Sequence, residues 1–184
     1  MKRKSILLPT GIVLAVTAVM SVAVYFMCGT TTTTYQEIKQ VISKSISCKN
    51  TGLAYPFVVY DNSTKKETRI NVIFSDESIK NISLSHRLYY ANQTLIKTSE
   101  AHNHANLSEA LVDSGLHIDT FDISYSTAQE YMQISIFADS ETITNAGKKF
   151  FLINEKNGTY PQTFDDYLNN YINQGFDCNV LNGE

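Results

Sequence analysis

Thr68-Arg69-Ile70-Asn71-Val72-Ile73-Phe74-Ser75, then Asp76-Glu77-Ser78, then Ile79-Lys80-Asn81-Ile82-Ser83-Leu84-Ser85-His86-Arg87-Leu88-Tyr89-Tyr90, is the stretch that decides the fold. Successive side chains of a strand point to opposite faces. Ile70, Val72 and Phe74 therefore share one side of the first segment, and Ile82, Leu84, His86, Leu88 and Tyr90 share one side of the second. The polar residues between them mark a turn, so the two segments read as neighbouring antiparallel strands with one face turned to a core.

Upstream, Leu53 to Tyr60 is rich in aromatic and β-branched residues and precedes the polar run Asp61 to Lys66, which reads as a further strand and a hairpin loop. Together these segments predict a meander of three strands. From Tyr35 the spacing of Ile38, Val41 and Ile42 is helical, and this helix is expected to lead to Cys48.

Downstream, Asn92 to Asp113 reads as a helix with Ile96, Ala101, Ala105, Leu107, Leu111 and Val112 on its apolar side and Gly115 as its stop. Two more strands follow, Asp119 to Ser126 with Phe121, Ile123 and Tyr125 inward, and Tyr131 to Ala138 with Met132, Ile134 and Ile136 inward. A short helix is expected around Glu141 to Lys149, ahead of the apolar Phe150-Phe151-Leu152-Ile153. The last helix has the strongest signature. Thr163 caps it with Asp166 three residues on, and Phe164, Tyr167, Leu168, Tyr171 and Ile172 recur at helical spacing before Gly175.

The N-terminus has a different character. After Met1-Lys2-Arg3-Lys4 come 23 residues, Ser5 to Met27, without Asp, Glu, Lys, Arg, His, Asn or Gln. As a helix these would extend about 34 Å, enough to cross a hydrocarbon core of about 30 Å. The bulky Tyr25-Phe26-Met27 before Cys28 favours an uncleaved anchor over a cleaved signal or a lipidated Cys28. The leader charges place the N-terminus in the cytoplasm and the rest of the chain outside. The expected organisation is a cytoplasmic N-terminus at 1–4, a transmembrane signal-anchor helix at 5–28, a Thr-rich tether at 29–34 and an extracytoplasmic domain at 35–184. The fold class expected is α+β, an N-terminal transmembrane helix followed by one small domain whose antiparallel sheet of about five strands is covered by helices.

Of 15 basic residues three lie in the leader, which leaves 12 against 18 acidic residues in the rest of the chain, a net charge of −6. Binding a phosphate backbone needs a basic surface, so nucleic acid is not an expected partner. The expected partners are the membrane, through the N-terminal helix, and an unknown protein or envelope component. Of the three cysteines, Cys48 and Cys178 bracket the domain, and an oxidising compartment favours a disulfide between them.

His102, His104 and His117, with Glu100, Asp113 and Asp119 nearby, are the sharpest metal-site candidates. The spacing argues against them, since on a helix residues two apart point about 200° away from each other. His86 is the odd polar residue on an apolar strand face and reads as a buried, hydrogen-bonded histidine. Asp165 and Asp166 suit the start of a helix better than paired acid–base chemistry. No hydrolase elbow, phosphate loop, dinucleotide fingerprint, zinc-protease motif or Cys-x-x-Cys occurs, so no catalytic residue, cofactor or metal ligand is assigned. Asn62, Asn81, Asn92, Asn106 and Asn157 each begin an Asn-x-Ser/Thr triplet. Tyr89, Tyr90, Tyr125, Tyr131, Tyr167 and Tyr171 are candidates for core packing or for a tyrosine-lined binding face.

The function expected is that of a non-catalytic binding or interaction domain displayed on the cell surface or envelope, on a single-pass protein of the cell membrane. A structural subunit of an envelope assembly is the first alternative. A cryptic hydrolase or metal-binding domain using its histidines is the second.

Overall fold

A computed structural model of the chain describes residues 43–58 and 61–182. The alternating residues form β2 (Lys65–Ser75) and β3 (Ser78–Tyr89), with every second side chain of their central stretches buried. Asp76 and Glu77 make the two-residue turn between them, with φ of 48° and 68°. Positive φ at both central positions matches the right-handed twist of the strands it joins.

Around this pair stands a six-stranded sheet in the order β4-β5-β3-β2-β1-β6, antiparallel at every junction. β1 is Ser43–Thr51, β4 is Asp122–Thr127, β5 is Tyr131–Asp139 and β6 is Asp177–Asn182. The helices are α1 (Gln93–Asp113), α2 (Asn145–Lys148) and α3 (Phe164–Ile172), and a 3-10 turn at Lys149–Phe151 continues α2. Ile46, Ile70, Val72, Ile82, Leu84, Met132 and Ile134 on one face of the sheet form a single buried cluster with Ile96 and Leu107 of α1, Phe150 and Phe151 of the 3-10 turn and Tyr171 of α3. Each such side chain, fully removed from water, contributes about 1.5–3 kcal/mol before entropy is counted. α2 approaches this core closely at Gly147, where a Cβ would stand 2.7 Å from Phe121 Cζ. The opposite face of the sheet carries short polar side chains, Ser47, Asn71, Ser83, Ser85, Ser124 and Ser135, and no described helix covers it.

The expected fold class, an α+β chain with a transmembrane helix and about five strands, is corrected to a six-stranded antiparallel sheet with three helices among the described residues. No described helix is long and apolar enough to cross a membrane, and the helix expected at 5–28 lies outside the described residues.

The helix expected to run from Tyr35 to Cys48 is instead strand where it is described. Ser43, Ser45 and Ser47 alternate with Lys44, Ile46 and Cys48, and that period of two sets the conformation. The strand expected at Leu53 to Tyr60 is a turn segment where it is described, because Pro56 has no N–H to donate and Val58 N–H folds back onto the Tyr55 carbonyl at 3.0 Å. β2 therefore pairs with β1. The sixth strand follows Gly175, where no strand was expected.

The apolar face assigned to α1 is rotated. Ala101 and Ala105 are exposed and Val112 is 60% exposed, whereas Ile96, Ser99, Asn103, Leu107 and Leu111 are buried. Two polar residues lie on the buried face, held in a side-chain network in which Asn103 Nδ2 donates to Ser99 Oγ at 2.9 Å and Ser99 bonds the Tyr90 hydroxyl. A count of apolar residues alone misplaces such a face. Ile172 is likewise half exposed rather than packed beneath α3.

Candidate functional site

The 3-10 turn ends at Leu152, a non-glycine residue in the left-handed region at φ 57°. A helix that ends there leaves carbonyls without intrahelical donors, and buried carbonyls need partners from elsewhere. Here side chains supply them in sequence. The Tyr55 hydroxyl donates to the Phe150 carbonyl at 2.8 Å and the Tyr171 hydroxyl to that of Phe151 at 3.2 Å. The Leu152 carbonyl accepts from both Asn170 Nδ2 at 3.0 Å and Gln174 Nε2 at 2.8 Å. Asn170 Oδ1 then accepts from the Asn154 N–H at 3.0 Å, so one amide satisfies a donor and an acceptor of the same backbone bend. Burial raises the pKa of Tyr55 and Tyr171 well above the usual phenol value, so both hydroxyls remain protonated donors.

Past this bend the chain makes a tight turn, in which Lys156 and Thr159 exchange backbone hydrogen bonds of 2.9 and 3.1 Å. Asn157 and Gly158 at its centre have φ of 54° and 77°, the paired positive values for which Asn-Gly is the preferred sequence. α3 follows, started by a complete capping box in which Thr163 Oγ1 accepts from Asp166 N–H and Asp166 Oδ2 accepts from Thr163 N–H. Those bonds hold the Asp166 carboxyl below its usual pKa.

Between this turn segment and α3 lies a concavity of about 650 Å³. Its walls carry Asn154, Gln162, Asn169, Asn170, Asn173 and Gln174 together with Tyr160, Thr159, Pro161, Glu155, Lys156 and Asp166. Asn170 and Gln174 are fixed by the bonds above. Among the described residues the side chains of Asn154, Asn169 and Asn173 have no hydrogen-bond partner, and all three are exposed. One side of the Tyr160 ring is occupied by Lys148 Nζ, 4.7 Å from its centroid. Burial lowers the pKa of that lysine. The arrangement is a seat rich in amides that donate and accept together, with Glu155, Lys156 and Asp166 as its charged groups.

The histidines singled out in the sequence are not drawn to one point. His102 Nδ1 bonds the Thr98 carbonyl one turn back along α1 at 2.8 Å, and the His104 ring packs against Tyr125 at 4.9 Å. His117 Nδ1 lies 3.3 Å from Asp119 Oδ2, and the two side chains are 76% and 82% exposed. Among the described residues no group of three His, Cys, Asp or Glu side chains could hold a metal ion.

His86 is fully buried, with Nδ1 2.8 Å from Thr68 Oγ1 and its ring 5.4 Å from that of Tyr55. Burial lowers its pKa to about 4, and Nε2 has no partner among the described residues. Cys48 and Cys178 are bonded, S–S 2.06 Å, from directly opposed positions on β1 and β6. The tyrosines are dispersed. Tyr90, Tyr167 and Tyr171 are buried, Tyr125 is half-buried with its pKa raised to about 12, and Tyr89 and Tyr131 pair at 5.6 Å on the open side of the sheet.

No protein family matches the chain, and no curated protein matches its sequence. Two solved structures are similar, both determined by NMR. The E. coli YehR protein is 14% identical, with a TM-score of 0.49 over 76% of this chain and 91% of that one. A protein from Streptococcus pneumoniae TIGR4 is 9% identical, with a TM-score of 0.41 over 78% of this chain and 87% of that one. At those scores the likeness carries no argument about function.

Proposed function

We propose that this is a non-catalytic binding protein, single-pass in the cell membrane, whose extracytoplasmic domain takes its ligand in the groove between the 154–162 segment and α3. The observation that carries this reading is the chemistry of the groove. It is a concavity of about 650 Å³ in which six of the twelve lining residues are Asn or Gln, beside Tyr160. Such groups orient a ligand by hydrogen bonding; a nucleophile paired with a base would be needed for covalent chemistry. Two features support an outer location. The Lys2-Arg3-Lys4 leader before an uncharged stretch follows the positive-inside pattern, and a disulfide persists in an oxidising compartment.

Retention of the detergent-solubilised full chain on envelope material from the cells that express it tests the proposal. The wild type should be retained, and the N169A/N173A double variant should lose roughly tenfold in affinity, the loss of two neutral hydrogen bonds. Equal retention of both proteins would reject the groove as the binding site.

A further inference from the structure

We infer that the ligand of this groove is a neutral glycan chain, an inference that rests on the binding function proposed above and names its substrate class. Charge is the first consideration. Glu155 and Lys156 contribute one charge of each sign at the rim, and the Asp166 carboxylate is committed to the backbone N–H groups of Gln162 and Thr163. Asp166 stays ionised in those bonds, so the lining carries a net charge of −1, which sets aside phosphorylated and other anionic ligands.

Hydrogen bonding is the second. A carboxamide presents an acceptor and two donors in one plane. A sugar hydroxyl is likewise donor and acceptor at once, and an array of such groups is matched by amides rather than by ions. Asn169 and Asn173, the C-cap of α3, are four residues apart, about 6 Å along the helix axis, comparable to the length of one pyranose unit. Asn154 faces the same concavity from the opposite wall.

The third is apolar contact. Tyr160 lines the groove, and an aromatic ring in a groove wall offers apolar contact to the C–H face of a sugar. The fourth is rigidity. Asn170 and Gln174 tie α3 to the Leu152 carbonyl, so the free amides project from elements already fixed and little ordering entropy is spent on binding.

A peptide fits the same place less well. Extended peptides are held by main-chain bonds to an open strand edge or by apolar pockets for alternate side chains. Here the walls are a helix and a turn segment in which Lys156 and Thr159 already bond each other's backbone, so neither is an open strand edge.

The test is ¹H–¹⁵N NMR of the full chain in lipid nanodiscs, titrated with a panel of neutral oligosaccharides and, separately, with uncharged Ser/Gly/Asn peptides of matched length. The expected result is that members of the glycan panel shift the side-chain amide signals of Asn154, Asn169 and Asn173. N169A/N173A should weaken that binding roughly tenfold while leaving the urea midpoint close to that of the wild type, and Y160A should weaken it as well. Peptides shifting the groove signals while no glycan does would overturn the glycan assignment and leave the groove as a binding site. Silence of the whole glycan panel, with groove-dependent retention on envelope material intact, would do the same. Glycan-induced shifts confined to residues elsewhere would overturn both readings.

Discussion

His86 shows how a single ring ties stability to pH. In the folded chain burial holds its pKa at about 4, whereas an unfolded histidine titrates near the ordinary value of about 6.5. Between those values the unfolded chain binds more protons, so the native state loses stability as pH falls through the window. The loss approaches about 3 kcal/mol at its acid end. Asp61 and Glu67 add an acid-side slope of their own. Burial works to raise each carboxyl, but Lys66 and Ser63 at the first, and Lys49 and Arg69 at the second, hold both below the usual range. Urea midpoints of wild type and H86F measured from pH 7 to 4 separate the terms, because the carboxylates act in both proteins. The wild-type curve should fall more steeply, and parallel curves would show that His86 is not proton-linked. Asn170 is the second residue whose removal should be felt. N170A leaves the Asn154 N–H without its acceptor and takes one donor from the Leu152 carbonyl. It should cost about 1–2 kcal/mol by chemical denaturation, whereas N169A, which breaks no described hydrogen bond, should cost less than about 0.5 kcal/mol.

Among the elements, β6 depends most on a covalent link. It is an edge strand of six residues with Asn179, Val180, Leu181 and Asn182 exposed, and among the described strands it pairs only with β1. The disulfide closes a sequence separation of 130, for which loop entropy predicts about 5 kcal/mol of stabilisation in the unfolded-chain account. A C48A/C178A variant should therefore lose several kcal/mol, and hydrogen exchange should show β6 amides opening well before those of β2 and β3. Protection of β6 equal to that of the central strands would mean that the ladder alone holds it. The same elements show what could be read in advance. The alternation in β2, β3 and β5 was legible because large apolar side chains mark every second position. β1 was not, because its alternation is written in serine and lysine around Ile46 and Cys48. The buried face of α1 was missed because Ser99 and Asn103 satisfy each other in the core. The groove was missed for a related reason. Asp166, Asn169, Asn170, Asn173 and Gln174 repeat at helical spacing on the polar side of α3, but amides there look like ordinary solvated residues until Leu152 is seen to need them.

For the whole molecule, the proposed topology makes a direct prediction. The full chain, with Met1-Lys2-Arg3-Lys4 intact, should remain with the membrane in alkaline carbonate washes, and protease added from outside should reach the domain. A mature chain beginning after residue 20, or a chain extracted by carbonate, would contradict the single-pass arrangement.

The sheet order carries one further consequence. β1 lies between β2 and β6, so the first described strand to leave the ribosome is completed only by the last. During synthesis β1 can pair with β2 at once, but its other edge stays open until every other described element has emerged. A nascent chain with an unpaired edge is exposed to wrong partners throughout that interval. The residues along β1 are suited to the wait, since Ser43, Lys44, Ser45, Ser47, Lys49 and Asn50 give a competing strand little apolar surface to adhere to. The polar composition that concealed this strand in the sequence is thus a safeguard for a sheet that is finished last at its oldest strand.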